Sequence, residues 1–214
     1  MRQGLTISIG LTLLIIAGIP AHRVFAYHTG THAYLAREAV DFYNQYFTGN
    51  RVPRELRNYL LDGSRREDDL PRYMNHFYDP VYGRGLSYDQ RIDPVNVGFW
   101  PKSPDWAVSS DLQNRGQYKI FSDVATILTA AEQEKLNLPL GDSEFTWQEA
   151  IRYWVNGEKE RAMFALGHVL HLLQDASVPD HTRNDQHADG SPYESWTEQF
   201  NLANADSGLA GRLI

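Results

Sequence analysis

A histidine and an aspartate four residues apart, His171 and Asp175, form the strongest chemical signal in the sequence. On a helix this spacing turns an imidazole and a carboxylate to the same side, about 5 to 6 Å apart at Cβ, so one metal ion can contact both. A helix-surface pair in which His171 donates to Asp175 is the simpler alternative. The pair interrupts an otherwise apolar segment, however, and burying unpaired polar groups is costly, which favours metal binding. His181 follows beyond Pro179, which ends the helix and lets the chain turn back over the site.

Further candidate ligands lie upstream, on predicted loops. Asp68 stands in the middle of an acidic run, and His76 begins the segment His-Phe-Tyr-Asp-Pro. Rigid scaffolds often present catalytic groups on loops. We expect the flanking acids, Glu67 and Asp69, to be solvated turn residues. His168 is expected to support the site or to be satisfied within the core, and not to bind metal directly.

The first 26 residues have the features of a secretory signal peptide. A basic residue precedes a nearly continuous apolar segment over residues 5–19, and Val24-Phe25-Ala26 offers small residues at a cleavage position. An uncleaved anchor is the alternative, since the apolar segment approaches the roughly 20 residues of a spanning helix. A glycine and a proline just before the cleavage position favour cleavage. The sequence therefore predicts a secreted or periplasmic domain over residues 27–214.

Cleavage would expose the α-amine of Tyr27, which can chelate a metal ion together with its own carbonyl oxygen. His32 stands near the start of the first predicted helix, close enough to join such a site. The chain has no cysteine, so thiolate ligands and disulfides are excluded. Any zinc site must therefore use nitrogen and oxygen ligands, which zinc accepts readily.

The chain is acidic, with a formal net charge of −7 that falls to −9 when the two arginines of the predicted leader are removed. Such a charge is unusual for a nucleic-acid-binding surface. Bound divalent ions would offset part of it, so an anionic substrate is compatible with this composition if metals bind it.

Apolar periodicity predicts an all-α fold, a single multi-helix domain with a long irregular loop region. Glycines and prolines define that loop region over residues 63–104, and its many aromatic residues argue against disorder. In the last predicted helix, Ala165, Val169 and Leu173 belong to the apolar face. The predicted helices cover residues 31–47, 52–61, 118–133, 146–155 and 158–175.

In combination and order, these elements resemble the zinc-dependent phospholipase C family of bacteria and, more distantly, the related fungal single-strand nucleases that also remove 3′-phosphates. In that family the first mature residue, usually tryptophan, binds zinc through its amine and carbonyl, and a histidine follows; Tyr27 and His32 stand in these places. Asp68 ends a segment similar to the family's Gly-Ala-x-x-x-Asp element. The family's His-Phe-Tyr-Asp-Pro element is unchanged and begins at His76.

The resemblance continues through the helix with His171 and Asp175 and through a Pro-x-His element. The last site departs from the family pattern, because Glu194 fits its end while Gly190 stands where histidine is expected; His187 is the nearby substitute. The chain ends soon after this point, where the family continues, which we interpret as a fragment or a short member. The resemblance implies up to three zinc ions, bound by Tyr27, His32, Asp68, His76, His171, Asp175, His181, His187 and Glu194.

The implied activity is hydrolysis of phosphodiesters, most directly phospholipase C-type cleavage of phospholipid headgroups with transient membrane-surface contact. Two zinc ions about 3.5 to 4 Å apart can clamp a phosphate and acidify water, and Asp175 could bridge them. Asp68 is the expected catalytic residue, binding metal and orienting or deprotonating the nucleophile.

Two alternatives stay open at this point. A single-strand nuclease or 3′-nucleotidase, acting on nucleic acid, is favoured by the spacing of Tyr27 and His32, whereas the lack of cysteine and the intact His-Phe-Tyr-Asp-Pro element favour the phospholipase. A secreted metal-binding domain without catalytic activity is the other alternative, to which the departure at Gly190 points.

Overall fold

The computed structural model describes residues 29–69, 72–87, 99–114, 145–185 and 191–204. Helices dominate these ranges, and their only β-structure consists of two isolated bridges, Asp79 with Arg84 and Ser87 with Phe99. The all-α prediction is confirmed. The helices are α1 (Thr29–Tyr46), α2 (Arg54–Arg66), α3 (Ser103–Val108), α4 (Ser110–Asn114), α5 (Trp147–Val155), α6 (Lys159–Asp175), α7 (Pro179–Thr182) and α8 (Pro192–Asn204), with 3₁₀ turns at Thr48–Asn50 and Arg72–Asn75.

Helix α6 is the central element of the described fold. Its sequence is rich in alanine, leucine and other strong helix formers and contains no proline. It packs on α1 and α2 on one side and on α5 on the other. The first of these contacts is a core of Ala36, Val40, Leu60 and Met163. The second is a core of Ala150, Tyr153, Ala162 and Ala165.

Helices α2 and α6 approach each other to backbone contact at two glycines. A Cβ atom on Gly63 would lie 2.0 Å from the carbonyl oxygen of Phe164, and one on Gly167 would lie 2.2 Å from that of Leu60. Such distances are far below van der Waals contact, so only glycine permits this crossing. The crossing brings the end of α2 directly over the part of α6 that carries His171.

The predicted start of the irregular region is therefore wrong. Helix α2 continues through Gly63 to Arg66, and Pro104 lies in the first turn of α3. Glycine usually weakens a helix. At Gly63, however, the absence of a side chain lets α6 pack closely on α2, and this packing outweighs the low helix propensity of glycine. Between the two helices, the described residues form the 3₁₀ turn, bridges and loops.

The predicted helices around α5 and α6 agree with the structure to within one residue. Thr146 caps α5, its hydroxyl accepting a hydrogen bond from the Glu149 N–H at 3.2 Å. Leu173 is 66% exposed instead of buried, because the buried side of α6 is occupied by His171 and Asp175, two residues before and after it.

The predicted leader, its cleavage position and the predicted helix over 118–133 fall outside the described residues. Within the described ranges, none of the helices combines the length and apolarity that crossing a bilayer requires.

Candidate metal centre

Six of the predicted ligands meet in the interior, four of them on the helices α1, α6 and α7 and two in the segments that follow α2 and the second 3₁₀ turn. One group contains His32, Asp68 and His171, and the other contains His76, Asp175 and His181. Within each group, one ligand atom from every residue lies within 4.8 Å of the others. All six residues are buried. Helix α1 supplies His32, the turn after α2 supplies Asp68, the segment after the second 3₁₀ turn supplies His76, and α7 supplies His181.

The two groups are adjacent, and Asp175 contacts both. Its Oδ1 lies 3.4 Å from His32 Nε2 in the first group. Its Oδ2 lies 2.9 Å from His76 Nδ1 and 3.2 Å from His171 Nε2. Oδ1 thus faces an imidazole of the first group, and Oδ2 faces one imidazole of each group, so the Asp175 carboxylate is within reach of both groups.

Three of the imidazoles have one ring nitrogen engaged with an oxygen outside the groups. His171 Nδ1 donates to the Ser64 carbonyl at 2.6 Å, and His76 Nε2 donates to the Glu67 carbonyl at 3.1 Å. His32 Nδ1 lies 2.6 Å from Gln174 Oε1 and donates to it. A carbonyl oxygen can only accept, so each ring donates from the nitrogen that faces outward, and in the neutral ring the opposite nitrogen has the lone pair that faces the interior of the site. Metal-binding histidines are held in this way by their second nitrogen.

The carboxylates of Asp68 and Asp175 are buried near imidazoles but without the aligned hydrogen bonds that buried acids normally accept. All four of their oxygens are buried, and none accepts a well-aligned hydrogen bond. An ionised carboxylate buried without such bonds is costly, and four imidazoles surround these two. Oxygen and nitrogen lone pairs that converge on a common space are suited to divalent cations. The residues present therefore fit a metal centre.

The electrostatics of the metal-free site show how strongly it attracts positive charge. Burial raises the pKa of Asp68 to about 7. Burial alone would lower the pKa of His76, but the Asp175 carboxylate and hydrogen bonding outweigh it and raise this pKa to about 10. Burial would likewise raise the pKa of Asp175, yet the surrounding imidazoles hold it well below its usual value. Without metal, protons partly balance the carboxylates.

Glu67 is buried, contrary to the prediction of a solvated turn residue. Its side chain is fully inaccessible, and its carboxylate lies 2.7 Å from Arg72 Nε, 2.8 Å from Trp106 Nε1 and 2.5 Å from His168 Nδ1. Burial would raise the pKa of Glu67, but the Arg72 guanidinium and the hydrogen bond from His168 hold it well below its usual value. The neighbouring Asp69 is half-buried, with its side chain 32% exposed and paired with Arg66.

The chain is similar to a phospholipase C of Paraclostridium bifermentans, to which it is 26% identical over 188 residues. The match covers 80% of this chain and 38% of that protein, so the chain spans about two fifths of the length of its relative. No protein-family model matches the chain. No solved structure matches it significantly. The similarity supports a distant phospholipase C-like relationship.

Of the three remaining predicted ligands, only Glu194 lies among the described residues. Glu194 is buried in the first turn of α8, where its N–H donates to the Ser191 hydroxyl at 3.3 Å, and it belongs to neither ligand group. Tyr27 and His187 lie outside the described residues, as does Gly190. Their part in a third site stays a prediction.

The alternative of a helix-surface pair is wrong for His171 and Asp175. Both residues are fully buried, and the Nδ1 proton of His171 goes to the Ser64 carbonyl on another helix. His168 is satisfied by Glu67 and lies in neither ligand group, as predicted. Burial lowers the pKa of His168 to about 4, so this imidazole is neutral.

The sequence predictions did not include three groups that orient the ligands: the side chain of Gln174 and the backbone carbonyls of Glu67 and Ser64. Gln174 stands inside the His-Leu-Leu-Gln-Asp segment, and its position beside Asp175 was a usable signal. For Glu67 the usable signal was Arg72, an arginine five residues further on. The Ser64 carbonyl had no signal in the sequence, because any residue supplies a carbonyl.

Proposed function

We propose that this chain is a secreted, zinc-dependent hydrolase of phosphoric esters that cleaves phospholipid headgroups in the manner of a phospholipase C. The observation that carries the proposal is the pair of buried histidine and aspartate groups whose carboxylate oxygens accept no well-aligned hydrogen bond. The similarity to a phospholipase C supports the substrate class. The predicted leader supports export.

Zinc is the ion that the donor set favours. The described ligands are imidazole nitrogens and carboxylate oxygens, and the second nitrogens of three imidazoles are hydrogen-bonded outside the site. Calcium and magnesium prefer sites built from oxygen alone, whereas zinc accepts nitrogen and oxygen together. We expect one ion at each group, and a third if Tyr27, His187 or Glu194 complete another site.

Bound ions would supply positive charge that stabilises a phosphate group and lowers the pKa of water. The chain's own residues then divide the remaining work. The four histidines and Asp175 would hold the ions, and Asp175 lies within reach of both groups. Asp68 has two oxygens without a well-aligned hydrogen bond, so one can hold an ion while the other orients water and accepts its proton.

The reaction is a transfer of the phosphoryl group to water. A bond forms between phosphorus and the water oxygen, and the bond between phosphorus and the diacylglycerol oxygen breaks. One proton of the attacking water passes to the carboxylate of Asp68 and from there to the leaving alkoxide, so the carboxylate is regenerated. The phosphorylated headgroup and diacylglycerol are the products.

Zinc content and substrate preference test this proposal together. Protein beginning at Tyr27 is compared with protein that carries one additional N-terminal residue, and metal is counted by mass spectrometry. Both are assayed on phosphatidylcholine vesicles and on single-stranded DNA. We expect zinc in both proteins, one ion fewer in the extended one, and release of phosphocholine by the first.

Each other outcome has a defined meaning. DNA hydrolysis without phosphocholine release would favour the nuclease alternative, and zinc without any hydrolysis would favour a non-catalytic metal-binding domain. Protein without zinc would overturn the proposal.

A further inference from the structure

Glu67 lies beside the metal centre but outside it. Its carboxylate receives three donors: Arg72 and His168 on Oε2, and Trp106 on Oε1. All of these side chains are buried, and the guanidinium of Arg72 also lies over the Trp106 ring, 5.1 Å from its centroid. Residues from the turn after α2, the second 3₁₀ turn, α3 and α6 are thereby joined at one carboxylate.

Two direct links, both through the backbone, connect Glu67 to the ligands. The backbone carbonyl of Glu67 accepts the Nε2 proton of His76, which leaves His76 Nδ1 facing Asp175. Glu67 also precedes Asp68 in the chain, so the conformation at residue 67 sets the direction of the Asp68 side chain. A shift of Glu67 would therefore move one ligand from each group.

We propose that Glu67 is a positioning residue of the metal centre, which fixes His76 and Asp68 through its three buried donors. The inference rests on the proposed function, because it presumes that the two groups bind metal. The negative charge of Glu67 is balanced locally by Arg72. The carboxylate of Glu67 thus fixes the positions of the ligands and does not itself bind metal.

The substitution Glu67→Gln tests this role with little change in shape. Three N–H groups converge on the carboxylate, and an amide offers only one acceptor oxygen. Its NH₂ group must therefore face at least one donor, and residue 67 must move. Asp69→Asn is the matched control, since it makes the same chemical change two residues away on a half-exposed side chain.

Zinc affinity is measured by competition with a chelator, under conditions in which circular dichroism shows every variant to be folded. Cobalt replaces zinc in a second measurement, because its visible spectrum reports the geometry of the ligands. We expect Glu67→Gln to bind zinc about 10- to 100-fold more weakly and to have an altered cobalt spectrum. Asp69→Asn should match the wild type in both.

If Glu67 had a purely structural role, Glu67→Gln would lower only the melting temperature of the metal-free protein and would leave zinc affinity and the cobalt spectrum unchanged. That result would overturn the inference.

If Glu67→Gln does not fold, Trp106→Phe replaces it, since this change removes the donor to Oε1 and keeps the charges and most of the ring volume. Weaker zinc binding by Trp106→Phe supports the inference, and wild-type values overturn it. A wild-type protein that binds neither metal overturns the proposed function, whereas equal binding by wild type and variant overturns only the role of Glu67.

Discussion

At the scale of single residues, the two aspartates of the centre have different surroundings and therefore different expected roles. Asp175 Oδ1 and Oδ2 lie within 3.4 Å of imidazoles in both groups. The nearest imidazole atoms to Asp68 Oδ1 are His171 Nε2 at 3.5 Å and His76 Nδ1 at 3.8 Å. Asp175 is thus held more closely by imidazoles than Asp68 is, and we expect Asp68, not Asp175, to accept a proton from water.

The substitution Asp68→Asn should separate metal binding from turnover. The amide keeps one oxygen that can hold an ion, but it cannot accept a proton from water. We expect phosphocholine release to fall by at least about 100-fold, in the range of a lost general base, while most of the zinc stays bound. Parallel measurements of zinc content and turnover check this. The control Asp105→Asn, at a side chain that is 54% exposed, should leave zinc content and turnover unchanged. Wild-type turnover in Asp68→Asn would exclude Asp68 as the catalytic residue.

Zinc binding should release protons near neutral pH. In the metal-free protein the pKa of His76 is raised to about 10 by Asp175, so at pH 7 this imidazole carries a proton that an ion must displace. Apparent zinc affinity should rise from pH 6 to pH 8, about tenfold per pH unit for each proton released. Calorimetric titration in two buffers of different ionisation enthalpy counts these protons. Identical heats in both buffers would contradict the prediction.

At the scale of helices, the centre depends on how closely α2 and α6 cross. The crossing at Gly63 and Gly167 lets the Ser64 carbonyl oxygen accept a hydrogen bond from His171 Nδ1, with 2.6 Å between nitrogen and oxygen. A larger separation would break this hydrogen bond and withdraw the turn that carries Asp68. The two glycines therefore contribute to the geometry of the site without containing a functional group.

The substitution Gly167→Ala should destabilise the fold and weaken the centre together. Its methyl group would lie 2.2 Å from the Leu60 carbonyl oxygen and 2.7 Å from the Ser64 nitrogen, both backbone atoms. We expect a loss of about 1 to 3 kcal/mol in the free energy of unfolding and weaker zinc binding. Urea unfolding and zinc competition measure the two effects. In the control Gly49→Ala the methyl group meets nothing within 4 Å, so both quantities should stay near the wild type.

The same crossing explains what the sequence could and could not predict. His171 and Asp175 are one helical turn apart, so their proximity follows from local geometry. Their assignment to different ligand groups depends on α1, α2 and α7, which are distant in sequence. Glu67 was predicted to be solvated because its two acidic neighbours are typical of a surface turn. Its burial depends on Trp106 and His168, 39 and 101 residues away, and such tertiary partners leave no local pattern.

At the scale of the whole molecule, the ligand groups join segments that the chain separates widely. His32 stands in the first described helix, and His181 stands in α7, near the end of the described part. The hydrophobic clusters connect α6 separately to α1 and α2 on one side and to α5 on the other. Bound ions would connect α1, the turn after α2, α6 and α7 through a single centre, so metal binding and folding should be strongly coupled.

Removal of metal should therefore lower the melting temperature of the whole domain. An ion present at about 1,000 times its Kd stabilises the folded state by about 4 kcal/mol, and in a domain of this size each kcal/mol shifts Tm by about 2 to 4 °C. We expect a chelator to lower Tm by at least about 10 °C, measured by circular dichroism. The substitution Asp175→Asn, which removes one negative charge from between the two groups, should bind metal poorly, and its Tm should barely respond to the chelator. An equal shift in this variant would mean that the chelator acts elsewhere in the protein.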